Sequence, residues 1–302
     1  MLKKVFYLLA ILSLMLLGAI ESYAGFKDVG IGARALGMGK AVVAVCDDMD
    51  TIYWNPAGLS ELGEIIGMSF SHASLYGVSK ANMDAFCVIQ PEVYFLGGNL
   101  GLLYLAEDVV VKVADESKKT DIIETTVGLS YGKGLTFKKT YPFSLSAGGA
   151  FKFLKVEKST DEHRGYAIDI GILMKPKYGT KDLKNFRIAL VLRNILSSSV
   201  GDPSFGFKFG IATNINKKIT VGKVKIDNIL LATGISDEEG ESFKFQLGVE
   251  SIFNKKFPVR LGFYGSDIAI GLGYNGEDWQ GNYAFAGHNR GKTHILSAKL
   301  KY

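Results

Sequence analysis

From Glu64 to the C-terminus the chain alternates apolar with small or polar residues at a period of two, the pattern of strands whose two faces meet different surroundings. Phe143, Leu145, Ala147, Gly149, Phe151 and Phe153 share one side of a strand, while Ser144, Ser146, Gly148, Ala150 and Lys152 share the other. The same division recurs in Ile123, Thr125, Val127, Leu129 and Tyr131 against Glu124, Thr126, Gly128 and Ser130. It recurs again in Phe243, Phe245, Leu247 and Val249 against Lys244, Gln246, Gly248 and Glu250. Turn residues divide the alternation into segments 64–76, 81–90, 95–113, 121–131, 142–157, 165–174, 185–195, 204–214, 223–233, 242–253, 258–264, 267–274, 279–286 and 293–302. That makes about fourteen strands, an even number as bacterial single-chain barrels have. Segment 223–233 is the least regular, because both its faces are largely apolar.

A soluble sandwich would alternate too. Two features favour a transmembrane antiparallel barrel: many segments exceed the five or six residues of an average strand, and the polar face is rich in Gly, as a crowded lumen requires. Composition agrees. Apolar residues make up 47% of the chain, and 36 of its 302 residues are Gly, about 12% against roughly 7% in average usage. Beyond the N-terminus no apolar run approaches the roughly 18 residues of a membrane-spanning helix. The final segment closes on Tyr302 with Leu300, Ala298 and Leu296 on its face, which resembles the assembly signal of outer-membrane barrels.

The first residues predict export. Met1 to Lys4 is short and basic, Val5 to Ile20 is apolar, and Ser22-Tyr23-Ala24 supplies the small residues of a cleavage site after Ala24. The formal net charge is +5; removing the leader's two lysines and one glutamate leaves +4, scattered singly. Nucleic-acid binders concentrate such charge on one face, so that class is excluded. Cys46 and Cys87 are too few for a zinc site or a disulfide scaffold, and can form one bridge or stay as two thiols. No Ser/His/Asp arrangement or paired His spacing suggests catalysis; His72, His163, His288 and His294 stand apart.

Residues 30–63 alternate nowhere. Gly30-Ile31-Gly32-Ala33-Arg34-Ala35 fits the glycine pattern of a dinucleotide loop, but no strand precedes it in the exported chain and no parallel unit follows. The run Asp47, Asp48, Asp50 lacks the spacing and later Glu of a calcium loop, and is expected to form a solvated loop or helix cap.

Gly32-Ala33-Arg34-Ala35, Gly37-Met38-Gly39, Asp47-Asp48 and Tyr53-Trp54-Asn55-Pro56-Ala57-Gly58-Leu59 together resemble the N-terminal signature of the PorV/PorQ family of FadL-like outer-membrane barrels. Weaker matches continue in Asp169-Ile170-Gly171, Arg193-Asn194, Gly248-Val249-Glu250, Asn282-Tyr283-Ala284-Phe285 and Thr293-His294. Asn282 stands where the family pattern leads one to expect Asp. The resemblance implies an all-β barrel of about fourteen strands with the N-terminal segment folded inward as a plug.

The expected organisation is therefore a leader at 1–24, a plug at 25–63 and a barrel at 64–302. Gly37, Gly39, Asn55, Pro56, Ala57 and Gly58 are the candidate plug and corner residues. Asp84, Glu124, Asp169, Lys152, Lys208, Lys244, Arg187 and Arg193 fall on faces expected to line the lumen, and Glu250 and Arg260 are placed to pair across a hairpin turning near Lys255. The resemblance implies a partner barrel in protein secretion or surface attachment at the outer membrane; the alternative is a FadL-like channel for hydrophobic small molecules such as fatty acids. Outer-membrane lipid, secretion-pathway proteins or a hydrophobic ligand are the expected partners; no cofactor, metal or catalytic residue is expected.

Overall fold

The computed structural model describes residues 30–78, 81–93, 97–112, 119–135, 142–158, 161–176, 183–198, 205–215, 219–221, 224–237, 243–288 and 291–302. The predicted leader lies outside the described residues. The strands are β1 (Gly67–Ser74), β2 (Ala81–Val93), β3 (Gly98–Lys112), β4 (Lys119–Leu135), β5 (Phe143–Lys158), β6 (Asp161–Pro176) and β7 (Leu183–Ser198). They continue as β8 (Gly206–Ile215), β9 (Ile219–Val221), β10 (Val224–Asp237), β11 (Lys244–Phe253), β12 (Phe257–Tyr264), β13 (Asp267–Asn275), β14 (Trp279–His288) and β15 (Gly291–Lys301).

Neighbouring strands pair antiparallel in chain order, β10 joins β8 to β11, and β1 pairs with both β2 and β15. The sheet therefore closes on itself. Fourteen strands form the ring, and each alternating segment of the sequence corresponds to one of them. The fifteenth, β9, pairs only with the first residues of β10 and stands outside the ring. It is too short for periodicity to reveal. Among the described residues no helix is long and apolar enough to cross a membrane.

The two faces of the wall are reversed relative to a water-soluble protein. On β15, Lys299 is 1% exposed and Leu296 is 59% exposed; on β5, Lys152 is buried while its neighbour Phe153 is 61% exposed. Leu129, Ile170, Phe245, Leu261 and Ile270 continue the exposed apolar band around the ring. Only a hydrocarbon surrounding makes such a surface favourable, and the period of two is what sends apolar side chains to lipid and polar ones to the lumen. Phe257, Tyr274 and Trp279 cluster at the end of the barrel that carries the C-terminus, with ring centroids 5.5 and 5.3 Å apart. Such rings belong to the aromatic girdle at a membrane surface.

The outer wall also holds polar pairs. Asp84, expected toward the lumen, faces outward, because the parity of β2 turns Met83, Ala85 and Cys87 inward. It stands opposite His72 on β1, with its Oδ1 2.8 Å from the imidazole Nδ1. Tyr283 and His294 pair on the same outer face at 2.7 Å, whereas His288 meets Asp267 at 2.6 Å on the inward parity of β13 and β14. These histidines, which stand apart in sequence, are thus tied to partners across strands.

Replacing Leu296 by Arg near the centre of β15 should destabilise the barrel in lipid vesicles by about 2–4 kcal/mol, the depth-dependent cost of a cation on a lipid-facing wall. Denaturant unfolding from vesicles measures it. An unchanged midpoint would mean that this face meets water.

Candidate functional site

Residues Gly30–Gly63 form no strand and lie within the ring, against the inward faces of its strands. They fold as two short helical turns, α1 (Ala33–Gly37) and α2 (Thr51–Trp54), followed by a 3-10 turn at Pro56–Glu61. Pieces this short have little stability of their own. Contacts with the wall hold them.

The first contact is made through glycine. Gly132, Gly148 and Gly171 are direct register partners on β4, β5 and β6, all turned inward. A Cβ on Gly148 would fall 2.5 Å from the Pro56 carbonyl oxygen, one on Gly171 3.0 Å from Pro56 Cδ, and one on Gly132 2.8 Å from Leu59 Cβ. Asn55, Pro56 and Ala57 therefore rest on a floor with no side chains. Across the lumen, Gly248 and Gly262 are register partners on β11 and β12; added Cβ atoms would meet Met38 O at 2.5 Å and Gly39 Cα at 2.7 Å. Gly39 has φ +59 and its own added Cβ would press on the Phe263 backbone, so it needs both the left-handed conformation and the missing side chain. Gly37 approaches Gly271, where a Cβ would sit 2.9 Å from Cα.

Asn55 is fully buried, and its polar groups are spent locally. Its Nδ2 donates to Val43 O at 3.0 Å, its Oδ1 accepts from Ala57 N at 3.0 Å, and its carbonyl accepts from Thr51 Oγ1 and Gly58 N at 3.1 and 2.9 Å. Pro56 opens the 3-10 turn, where a missing N–H leaves nothing unsatisfied. Gly58 is crowded by Thr51 and by Cys46, whose Sγ lies 2.8 Å from an added Cβ. Cys46 and Cys87 are both free and buried.

The second contact is ionic. Arg34 donates to Glu250 on β11 at 2.7 and 2.9 Å, to Asp48 at 3.1 Å, and to Asp47. Glu250 also takes Arg260 Nε, its register partner on β12, at 2.6 Å, and Arg260 Nη1 donates to Asn282 Oδ1 at 2.8 Å. An Asp at position 282 would have added a charge here. Lys299 on β15 lies 2.6 Å from both Asp48 and Asp50, and Asp50 Oδ1 accepts from Ser69 Oγ on β1 at 2.8 Å. Arg187 on β7 donates to Val45 O and stands 3.8 Å from Asp47. The acidic run expected as a solvated loop or cap is so only in part: Asp47 is exposed and Asp48 Oδ1 accepts from Asp50 N at 3.0 Å, but the run is also built into this network, with Asp50 buried and making no side-chain cap bond.

A separate cluster sits farther along the wall. Lys152 Nζ is 2.8 Å from Asp169, whose Oδ1 accepts from Asn194 N at 2.8 Å. Asn194, at φ +52, lies where the register between β6 and β7 shifts, so Asp169 caps a bulge. Aromatic rings of the inner segment take cations from the wall: Lys208 over Trp54 at 4.6 Å and Arg193 over Tyr53 at 4.9 Å.

The rest of the inner wall carries apolar patches between its charges. Ala269, Ala284, Ala286, Ile295, Ala73, Met83, Ala85, Leu103 and Leu105 make one apolar strip from β13 through β15 and β1 to β3, packed with Ile31, Leu36, Met49 and Ile52. Most charged inward residues lie from Lys152 on β5 to Arg260 on β12, but Glu107 on β3 and Lys299 on β15 lie on the strands of the strip, and a second apolar patch of Leu173, Ala189, Val191, Ala212, Leu230 and Ala232 on β6 to β10 packs Met38, Val43 and Trp54. The structure thus brings Gly37, Gly39, Glu250 and Arg260 together on one side and sets Asn55, Pro56, Ala57 and Gly58 on the other. Sequence reasoning put Arg187 among the lumen charges without a partner, and missed Arg34 and Lys299 as members of the site. Only the inward parity of Lys299 could have pointed to one of them.

No known family model and no curated protein sequence matches the chain. Among solved structures it resembles the toluene transporter TbuX of Ralstonia pickettii, with a TM-score of 0.50, 11% identity, and coverage of 90% of this chain and 97% of that one. It also resembles the CymD monoaromatic hydrocarbon channel, with a TM-score of 0.51, 9% identity, and coverage of 92% and 98%. A Pseudomonas aeruginosa FadL homologue gives a TM-score of 0.51, 10% identity, and coverage of 92% and 99%. The likeness is one of fold alone: a closed antiparallel β-barrel.

Gly148→Leu should leave the wall assembled, since Leu is tolerated in a strand, but it should lift Pro56 off its floor. Limited proteolysis of the folded, heat-modifiable protein should then cut within residues 30–63 faster than in the unaltered chain. Equal cutting rates would mean that the glycine floor does not seat the segment.

Proposed function

We propose that the protein is an outer-membrane channel for small hydrophobic molecules, and that residues 25–63 are the plug that controls passage. One observation carries this reading: the inward apolar strip along β13–β15 and β1–β3, which offers a largely non-aqueous path along that side of the wall. An apolar solute moving along such a strip stays out of water, whereas a simple polar pore would have charge on all sides. The kinship in fold with barrels described as toluene and monoaromatic hydrocarbon carriers supports the same substrate class. The N-terminal leader supports export, and the exposed apolar band supports residence in the outer membrane with lipid as its surrounding.

The secretion-partner reading rests on the signature of residues 32–59, which resembles PorV/PorQ. Those residues are largely buried inside the ring, where a protein partner cannot reach them, so the signature is better read as plug architecture. Asn55 and Pro56 are the corner that sets the path of the plug across the glycine floor. Every polar group of Asn55 named above is used within the segment, which favours a structural corner over a ligand contact. Glu250 and Arg260 are a lumen pair that anchors the plug through Arg34.

Asn55→Ala with Pro56→Ala should loosen the plug, at a cost of about 1–3 kcal/mol for each buried partner left unsatisfied. Planar-bilayer recordings should show a raised leak conductance while heat-modifiable migration is retained, and vesicles carrying the variant should take up toluene faster. Wild-type conductance together with loss of toluene uptake would make the corner a recognition site instead. Wild-type behaviour in both assays would remove the plug reading.

A further inference from the structure

The ionic network between plug and wall balances only while the two are in contact. Its eight charged side chains divide unevenly: the segment supplies Arg34 with Asp47, Asp48 and Asp50, and the wall supplies Arg187, Arg260 and Lys299 with Glu250. Within this network the segment therefore carries a net charge of −2, and the wall a net charge of +2. Glu250 and Arg260 satisfy each other within the wall at 2.6 Å. Among the described residues, Lys299 and Arg187 find their carboxylates only on the segment, and they stand on strands far apart in the ring, β15 and β7; a separate pair outside this network, Glu61 with Lys175 on β6, also joins segment to wall.

We propose that Lys299 and Arg187 are the charge-selecting residues of the opened lumen: a pair of cations on separate strands that Asp47, Asp48 and Asp50 neutralise at rest, and that favours anions once the segment moves. A bare ammonium and a bare guanidinium in a narrow, low-dielectric passage raise the local concentration of anions and repel cations. Carboxylates are the natural occupants, because the segment's own carboxylates hold these positions while the passage is closed. An apolar molecule with one acidic group would then meet the apolar strip with its body and Lys299 with its charge. The proposal rests on the plug reading, and the same contact can be broken from either side to separate the two.

Asp48→Asn with Asp50→Asn neutralises the segment's hold and leaves Lys299 charged; Lys299→Gln breaks the same contact and removes the wall cation. Both variants are made in the full chain, checked for heat-modifiable migration, and recorded in planar bilayers across a gradient of potassium chloride. Both should conduct more than the unaltered protein. The aspartate variant should move its reversal potential toward that of chloride, and adding Lys299→Gln and Arg187→Gln to it should abolish the shift. Equal reversal potentials in the two variants would overturn the charge proposal and leave the plug reading standing. Conductance unchanged in both would overturn the two together.

Discussion

A closed sheet fixes the width of its own interior, and in this barrel that width exceeds what inward Gly, Ala and Ser can fill. The segment 30–63 makes up the difference, and its fit depends on backbone meeting backbone. The register that aligns Gly132 with Gly148 and Gly171, and Gly248 with Gly262, gathers single small residues from separate strands into smooth patches on which the segment lies. Without those patches Asn55, Pro56 and Gly39 could not come so close, and neither the ionic network nor the apolar strip would find its inner partners.

Charge is placed under the same constraint. Ions inside a membrane wall are costly unless paired, and breaking a buried pair on one side leaves the other charge uncompensated. The wall meets this in two ways: some pairs are complete within the wall, such as Lys152 with Asp169 and Glu250 with Arg260, while others are completed only by the segment. The first kind belongs to the barrel as a structure. The second ties the segment's position to the electrostatic state of the lumen.

Much of this fold is legible in the sequence, because a membrane barrel writes its two environments into alternate residues. The ring of fourteen strands, the inward turn of Lys152, Asp169 and Lys208, and the outward turn of Phe151, Ile170 and Phe245 follow from parity alone. Asp84 shows where the method stops: on β2 the inward face is wholly apolar and the outward face mixes Asn82 and Asp84 with Phe86 and Val88, so the polarity of a single carboxylate points inward while the parity of Met83, Ala85 and Cys87 turns it out. The acidic run 47–50 shows a second limit. Local spacing reveals neither its role nor its burial, because its partners Lys299 and Arg187 come from distant strands, and no periodicity reports what faces what across a lumen. β9 escapes because three residues make no pattern.

Lys299 and Asp48 are separated by 251 positions in the chain, and Asp50 reaches Ser69 on the first strand while Lys299 sits on the last. The acidic run thus bridges the two edges that must meet for the sheet to close. Seating the segment and closing the wall between β1 and β15 therefore draw on the same residues. Contacts of such high sequence separation fold slowly. Closure of the sheet and the seat of the inner segment are therefore tied through one lysine near the end of the last strand: the residue that meets the early aspartates stands on the strand that completes the ring.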